Sequence, residues 1–228
     1  MASRYISLIR HADYMQRPLA PSAYQPFPLT SLGEKQAAEA LLPLQNFAQS
    51  QSLKIHNTIF CSTLLRAWQT ADIIRQGLKD PDASLEDSIE LAERSVGSVA
   101  NLTTKEIEEV LLQDPRYEKP PEHWKANSHY CLPFPGAESL LQAGQRVADY
   151  IKRLVNRLAD NELGVVVGHG ASIRHAAFYL GMLEQDSIQK LSMYHCKPVF
   201  FKVPESDSDC WIHEAGDWKV RAQSEQPD

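Results

Sequence analysis

Residues 163–168, which read Leu-Gly-Val-Val-Val-Gly, constrain the fold more than any other stretch of this chain. An apolar, β-branched run bounded by glycines predicts a strand covered on both faces, as central strands of parallel sheets are. His169 and Gly170 follow this run directly, and residues 173–180 then predict a helix. A strand, a histidine and a helix in this order indicate an α/β protein with polar residues at the carboxyl edge of its sheet.

The start of the chain has the same arrangement. Residues 5–9 predict the first strand, and Arg10 and His11 stand at its end. The following residues 14–28 contain four prolines, which exclude a regular helix or a central strand. We therefore expect a loop there that walls one side of a site beginning at His11.

A second strand is predicted over residues 58–62, and a helix over 64–76 follows it immediately. This spacing places Arg66 in the first turn of that helix. Because the carboxyl ends of parallel strands meet at one edge of a sheet, we expect Arg66 to lie close to His11 and His169.

The remaining elements are predicted from helical spacing, caps and short apolar runs. A helix over 31–42 begins at a capping box on Ser31 and is followed by Pro43 and a looser segment. A second capping box opens a short helix at Thr103. The other predictions are a strand or extended segment over 85–91, a helix over 139–158, a hairpin from 198–203 and 211–213, and a polar tail over 224–228.

These elements predict a single domain over residues 1–228, a three-layer α/β sandwich with a mostly parallel central sheet and helices on both faces. Residues 113–137 are rich in proline and aromatic side chains and predict a long irregular insert. A long irregular insert near a site is a candidate lid.

Composition excludes several classes of function. The net charge is -6 over 228 residues, which argues against a general nucleic-acid surface because phosphate-backbone affinity needs clustered Lys and Arg. No apolar run reaches the length of a membrane span, so we expect a cytoplasmic protein with no membrane partner. The four cysteines lack CxxC spacing and no acidic metal loop is present, so we expect incidental thiols, no metal and no cofactor.

The residues expected at the sheet edge suit phosphoryl chemistry. Arg10 and Arg66 can hold phosphoryl oxygens, and the helix that starts at Gly170 offers backbone N–H groups. The ligand that fits such a pocket is the phosphate group of a small substrate. The surrounding cations favour a neutral imidazole, so His11 is the expected nucleophile and His169 the stabiliser of transition-state charge.

A carboxylic acid must protonate the leaving oxygen and later activate water, and Glu93 is the candidate, with the nearby Glu90 left open. Possible further substrate contacts come from a loop, a strand end and a helix start: Arg17, Ser62 and Gly170. Three other histidines have no motif around them and are interpreted as structural: His175, His195 and His213.

Six blocks in order resemble the histidine phosphatase superfamily, branch 1, whose fold is phosphoglycerate mutase-like. They are 8–12 (RHG signature), 28–37 (LTxxGxxQA), 62–71 (SxLxRAxQTA), 93–97 (ExxxG), 136–140 (GGESL) and 167–174 (second histidine block). The resemblance implies a metal-independent phosphomonoesterase with His11 as phosphorylated nucleophile and Glu93 as general acid and base. It also implies a phosphate pocket of Arg10, Arg66 and His169.

The chain departs from that family's pattern at three positions. Ala12 replaces the signature glycine, Arg17 stands where an asparagine is common, and Asn101 stands where many members carry a second glycine. The tracts typical of phosphoglycerate mutases are absent, so we favour a phosphatase. The alternatives are a phosphoglycerate mutase-type phosphomutase and a catalytically silent domain that binds a phosphorylated ligand. The substrate and the oligomeric state cannot be read from the sequence.

Overall fold

The computed structural model describes residues 3–21, 24–206 and 210–221, and the predicted tail over 224–228 lies outside these ranges. The strands are β1 (Tyr5–Arg10), β2 (Lys54–Ser62), β3 (Ser84–Ser88), β4 (Glu162–Gly168), β5 (Leu191–Ser192), β6 (Val199–Lys202), β7 (Ile212–Ala215) and β8 (Lys219–Val220). The helices are α1 (Ser31–Glu39), α2 (Leu41–Ser50), α3 (Leu65–Leu78), α4 (Thr104–Gln113), α5 (Leu140–Val155), α6 (Gly170–Tyr179) and α7 (Gln185–Ile188). Within the described ranges, no helix has the length and apolar character needed to cross a membrane.

The central sheet has six strands in the order β3-β2-β4-β1-β6-β7. The first four strands in this order pair in parallel, and β6 and β7 add an antiparallel hairpin, as the C-terminal pattern predicts. A separate two-stranded sheet joins β5 to β8. The mixed, mostly parallel sheet confirms the predicted topology class.

Alternation along the central strands divides the core into two layers. Ile9, Val165 and Val167 face α1, α2 and α3, whereas Leu8 and Val166 face α5 and α6. All five side chains are fully buried. Because successive strand residues point to opposite faces, one apolar run can serve both layers. The three-layer α/β sandwich with helices on both faces is therefore confirmed.

The insert over 113–137 is irregular, as its composition predicts, apart from a short 3₁₀ turn at Trp124–Ala126. It packs with α4 and the 3₁₀ turn at Gly97–Val99 around a small apolar cluster of its own. The buried members of that cluster are Val96, Val99, Ile107, Leu111, Trp124 and Leu132. This third cluster allows the insert to be ordered without regular secondary structure.

Two local predictions are wrong at the start of the helical layer. The N-cap of α1 is Thr30, whose Oγ1 accepts from the Gly33 N–H at 3.0 Å, so Ser31 is the first helical residue rather than the cap. Pro43 lies within the first turn of α2 and not in a looser segment. Proline is tolerated there because N–H groups of the first turn have no acceptor within the helix.

Gly33 lets α1 approach the backbone that follows β1. A Cβ added at this position would lie 1.9 Å from the Asp13 carbonyl oxygen. We expect Gly33→Ala to lower the free energy of unfolding by about 3 kcal/mol, measured by urea denaturation, because backbone must shift. Gly77→Ala is the matched control, since its Cβ would meet only the flexible end of Leu41, at 2.8 Å. A loss at Gly77 as large as that at Gly33 would contradict the close-approach explanation.

Candidate active site

Two histidines meet at the carboxyl edge of the sheet because their strands are neighbours. Arg10 pairs with Gly168 in the parallel register of β1 and β4, and each strand is followed directly by its histidine. The ring centroids of His11 and His169 are 5.1 Å apart. The two rings are almost inaccessible to solvent, at 3% and 0% exposure. The predicted juxtaposition of the two strand ends is therefore present.

Arg66 joins the two rings from the first turn of α3. Its Nε donates to His11 Nε2 at 3.2 Å, and its Nη2 donates to His169 Nδ1 at 3.1 Å. Its Nη1 donates to the carbonyl of Gln25 at 3.2 Å, and its guanidinium lies 4.7 Å from the centroid of the Tyr14 ring. The planar fork of a guanidinium makes several directed contacts at once. The guanidinium of Arg66 therefore donates a hydrogen bond to each of the two imidazoles.

The tautomer of His11 follows from its two hydrogen bonds. Its Nδ1 donates to the Ala12 carbonyl at 2.8 Å, which leaves the Nε2 lone pair directed at Arg66. Burial, and then the positive charge of Arg66, hold the pKa of His11 well below its ordinary value of 6.5. The ring is therefore neutral near pH 7, with its free lone pair inside the site.

His169 has the opposite tautomer. Because the guanidinium of Arg66 can only donate, Nδ1 of the neutral His169 ring is the acceptor and Nε2 carries the proton. That Nε2 donates to Ser62 Oγ at 2.8 Å. Burial, followed by Arg66, lowers the pKa of His169 well below 6.5. Ser62, a possible substrate contact from sequence, thus orients His169 in this structure.

Glu93 is held at the start of α6. Its Oε1 accepts from the backbone N–H groups of Arg94 at 2.8 Å and Ser172 at 3.0 Å, and its Oε2 accepts from that of Ala171 at 3.2 Å. The sequence predicts that N–H groups of this helix start bind phosphate, and in this structure those of Ala171 and Ser172 donate to Glu93. They hold the carboxylate because an anion is favoured at a helix N-terminus, and Glu93 is the anion that occupies it.

The alternative acid and one possible substrate contact lie elsewhere. Glu90 is on the outer surface, where both carboxylate oxygens accept from Arg153 Nη2 at 2.7 Å. Arg17 is directed at the Asn101 carbonyl and at Glu106, which lies 3.4 Å away. Glu93 is therefore the acid that the fold buries beside the histidines, and Arg17 connects the proline-rich loop to the segment before α4.

Arg10 and Gly170 complete the predicted set. Arg10 Nη1 donates to the Met193 carbonyl at 3.1 Å. A Cβ added at Gly170, the first residue of α6, would lie 3.2 Å from Arg10 Cδ. The small residue thus gives the arginine stem room at the helix start, which is a packing role in this structure.

Two aromatic rings beside His11 were missed by sequence reasoning. The ring centroid of His195 lies 5.5 Å from that of His11, and the Tyr14 ring lies 5.4 Å away on an edge-on contact. His195 is interpreted as structural from sequence, and the structure places its ring beside that of His11. The bridge between Arg10 and His195, with no motif around it, brings the segment after β5 against the end of β1.

Ala12, the departure from the family signature, is accommodated without strain. It is fully buried within the core cluster on the α1 to α3 side of the sheet. Its N–H donates to Thr70 Oγ1 at 3.0 Å, and its carbonyl receives the His11 Nδ1 proton. Its backbone does not adopt a positive φ, so no glycine is required there. The extra methyl packs into the core.

Among the described residues, no group of three or more histidine, cysteine, aspartate or glutamate side chains is placed to hold a metal ion. The cysteines are free thiols, as predicted: Cys61 and Cys196 are buried, and Cys131 and Cys210 are exposed.

Comparison with known proteins identifies the family of this chain. The profile of the histidine phosphatase superfamily (branch 1) matches residues 6–209. The chain is 27% identical over 214 residues to a 2,3-bisphosphoglycerate-dependent phosphoglycerate mutase of Nitrobacter hamburgensis, covering 89% of this chain and 93% of that protein. It is 26% identical over 183 residues to the enzyme of the same name from Parvibaculum lavamentivorans, covering 78% of this chain and 79% of that protein.

Solved structures of phosphatases have the same fold. A mycobacterial glucosyl-3-phosphoglycerate phosphatase superposes with a TM-score of 0.68 at 20% identity, covering 96% of this chain and 100% of that one. The α-ribazole phosphatase of Shigella flexneri superposes with a TM-score of 0.69 at 18% identity, covering 96% and 99%.

Proposed function

The chain belongs to branch 1 of the histidine phosphatase superfamily, and we propose that it hydrolyses a phosphomonoester of a small molecule through a phosphohistidine at His11. The observation that carries the proposal is the neutral His11 ring. The Ala12 carbonyl orients it through Nδ1, and its Nε2 lone pair accepts a hydrogen bond from Arg66 Nε. A neutral imidazole is suited to attack a phosphoryl group whose oxygens are bound by neighbouring guanidinium groups.

In the first step, His11 Nε2 attacks phosphorus, the N–P bond forms and the P–O bond to the leaving group breaks. The Arg66 Nε–H that now contacts Nε2 must then bind a phosphoryl oxygen instead. Arg10 and Arg66 supply positive charge to the phosphoryl oxygens. Glu93 takes up a proton when the substrate binds and gives that proton to the leaving oxygen, while the backbone N–H groups of Ala171 and Ser172 fix its carboxyl group at the start of α6.

In the second step, water attacks phosphorus, the N–P bond breaks and inorganic phosphate leaves. Glu93, again a carboxylate, accepts the proton of that water and then releases it to solvent with the phosphate product, which restores the starting carboxylate. His169 contributes through Nδ1, the ring atom that contacts Arg66. It needs a second proton to donate there, and a bound dianion favours that proton because opposite charge stabilises an imidazolium.

We also propose that the insert and the proline-rich loop act together as a lid over this single domain. The reacting groups are shielded, with Glu93 only 6% exposed and Arg66 fully buried. The loop closes over Arg66 through the Gln25 carbonyl and is tied to the α4 region by the Thr104 N–H, which donates to Leu19 at 3.1 Å. We expect these segments to move apart when the substrate enters and to close over it again, as lids do when they sequester a reaction from water.

The direct test is turnover of p-nitrophenyl phosphate in the presence of EDTA. The proposal predicts release of p-nitrophenol and phosphate in equal amounts, with an initial burst of p-nitrophenol if hydrolysis of the phosphoenzyme is slower than its formation. Absence of turnover across sugar phosphates, phosphoglycerates, nucleotides and phosphopeptides would overturn it in favour of a domain that only binds phosphorylated ligands.

A phosphomutase is the second candidate, because the relatives from Nitrobacter and Parvibaculum carry that name. The chemistry differs only in the acceptor, which is an organic hydroxyl instead of water. The two are separated by incubating the protein with 3-phosphoglycerate and a catalytic amount of 2,3-bisphosphoglycerate. We expect inorganic phosphate to form faster than 2-phosphoglycerate, and the reverse order would favour the mutase.

The acid side of the pH profile follows from the lowered pKa of His11. Because the ring stays neutral well below pH 6.5, we expect kcat/KM, corrected for ionisation of the substrate, to show no loss at that pH. Activity should fall only as the pH passes below the lowered pKa and the nucleophile becomes protonated. The measurement is kcat/KM for p-nitrophenyl phosphate between about pH 4 and pH 8. A corrected midpoint at the ordinary histidine value would contradict the environment described here.

A further inference from the structure

A cavity of about 870 Å³ lies along α6. We call it the α6 cavity; α6, the 3₁₀ turn at Trp124–Ala126 with neighbouring insert residues, α7 and β8 form its walls. The candidate active-site residues do not line it: His11, Arg10, Arg66 and His169. Its volume is in the range of sites that bury small organic ligands.

The lining of the α6 cavity is strongly cationic in a chain whose net charge is -6. The charged Lys, Arg, Asp and Glu side chains among its described lining residues are four cations and one carboxylate: Lys125, Arg174, Lys190, Arg221 and Glu122. Arg174 is only 3% exposed. Burial, and then the charge of Arg174, lower the pKa of His175 in the same wall to about 4, so this ring is neutral at pH 7. A concentration of positive charge in a concave surface favours an anion.

The same cavity has an apolar part. Phe178 and Tyr179 stand at the end of α6 with ring centroids 5.2 Å apart, and Leu141 and Ile188 line the walls on either side. Apolar walls with a few convergent charges are the usual design of a small-molecule site. An inorganic ion would use only the charged half of this lining.

The α6 cavity shares supports with the candidate active site. Arg174 Nη1 donates to the Leu191 carbonyl at 2.9 Å, and two residues later the Met193 carbonyl receives Arg10 Nη1. Ala171 lines the cavity, and its N–H holds Glu93. An occupant would therefore contact the helix and the segment that hold two groups of the site.

We propose that the α6 cavity is a second binding site, for a small organic anion with a phosphonate- or phosphate-like head and an apolar body. The cations of the cavity hold the head, and the aromatic rings at the end of α6 contact the body. This site is separate from the pocket of His11, and its existence does not depend on the proposed hydrolysis.

The test is calorimetric titration of the full chain with phenylphosphonate, which has a non-transferable phosphorus head and an apolar ring. No second anion is added, and binding in the phosphate pocket is identified as the event that Arg10→Ala weakens. We expect a separate saturable event that Arg10→Ala leaves in place and that Lys190→Glu combined with Arg221→Glu weakens at least about tenfold, because two charge-assisted contacts become repulsive. Methylphosphonate, which lacks the ring, should bind more weakly than phenylphosphonate.

The matched control is Lys35→Glu combined with Lys152→Glu, two exposed positions outside the cavity that change the net charge equally. We expect this variant to bind within about twofold of the natural chain. Leu141→Trp should also abolish binding by filling the cavity without a change of charge. Absence of saturable binding, or equal losses in the cavity and control variants, would overturn the proposal. Turnover of p-nitrophenyl phosphate, measured separately, tests the proposed function. A chain that binds phenylphosphonate without turnover would contradict only the proposed function, and a chain that turns over substrate without this binding would contradict only the second site.

Discussion

Replacing His11 by alanine is expected to lower kcat/KM for p-nitrophenyl phosphate by about 10⁴-fold or more, because the covalent route through Nε2 is lost. The Ala12 carbonyl and Arg66 orient this lone pair in the natural chain. His169, the nearest alternative, has its Nε2 on Ser62. Steady-state kinetics on the purified variant are the measurement.

The control for this substitution is His213→Ala, which removes an imidazole from the exposed face of β7. Its activity should stay within about twofold of the natural chain, since surface substitutions away from a site have small effects. His169→Ala should cost less than His11→Ala, about 10²- to 10³-fold, because the nucleophile remains while one charge-stabilising group is lost. Equal losses at His11 and His169 would contradict the division of roles between them.

Arg66→Lys is expected to lower kcat/KM by about 10²- to 10³-fold although the charge is kept. The guanidinium makes separate contacts with His11, His169 and the Gln25 carbonyl, and an ammonium on a flexible stem cannot reproduce that planar fork. The side chain is fully buried. A poorly partnered ammonium there should also lower the free energy of unfolding by about 3 kcal/mol, measured by urea denaturation.

Arg75→Lys is the matched control on the same helix. Arg75 is near the surface and contacts Asp72 at 2.7 Å. Because half-exposed ion pairs contribute little, this variant should lose less than about 1 kcal/mol of stability and less than twofold in activity. If Arg66→Lys lost as little activity and stability as Arg75→Lys, the site would not depend on the planar geometry of the guanidinium.

The arrangement of the strand ends explains why much of the site could be predicted from sequence. Each of the apolar runs of β1, β2 and β4 is followed within a few residues by a candidate side chain: His11, Arg66 and His169. Parallel pairing then brings these positions to one edge with no further information. Glu93 could be chosen only by spacing and resemblance, because it lies in a loop and what holds it is the distant start of α6.

The parts that could not be predicted depend on long-range packing. His195 reaches His11 because the segment after β5 lies against the end of β1, and no local pattern encodes that contact. Gln25 contributes a backbone carbonyl to Arg66, and carbonyls are the same in every residue. The cap of α1 lies one residue before the predicted one, because Thr30 and Ser31 are both good caps by residue type. Thr30 is the cap because its Oγ1 accepts from the Gly33 N–H, and the same Oγ1 donates to Asp13 Oδ2 at 2.6 Å.

The central claim is that the phosphoryl group passes through His11, and trapping the phosphoenzyme tests it most directly. The protein is mixed with a ³²P-labelled phosphomonoester and denatured in alkali, in which phosphohistidine survives, and the label is then released by acid. We predict an acid-labile label on the natural chain, retained in His169→Ala and absent in His11→Ala. Two results would contradict the account. One is label that persists in His11→Ala. The other is turnover by the natural chain when no label can be trapped on it, on His169→Ala or on Glu93→Gln.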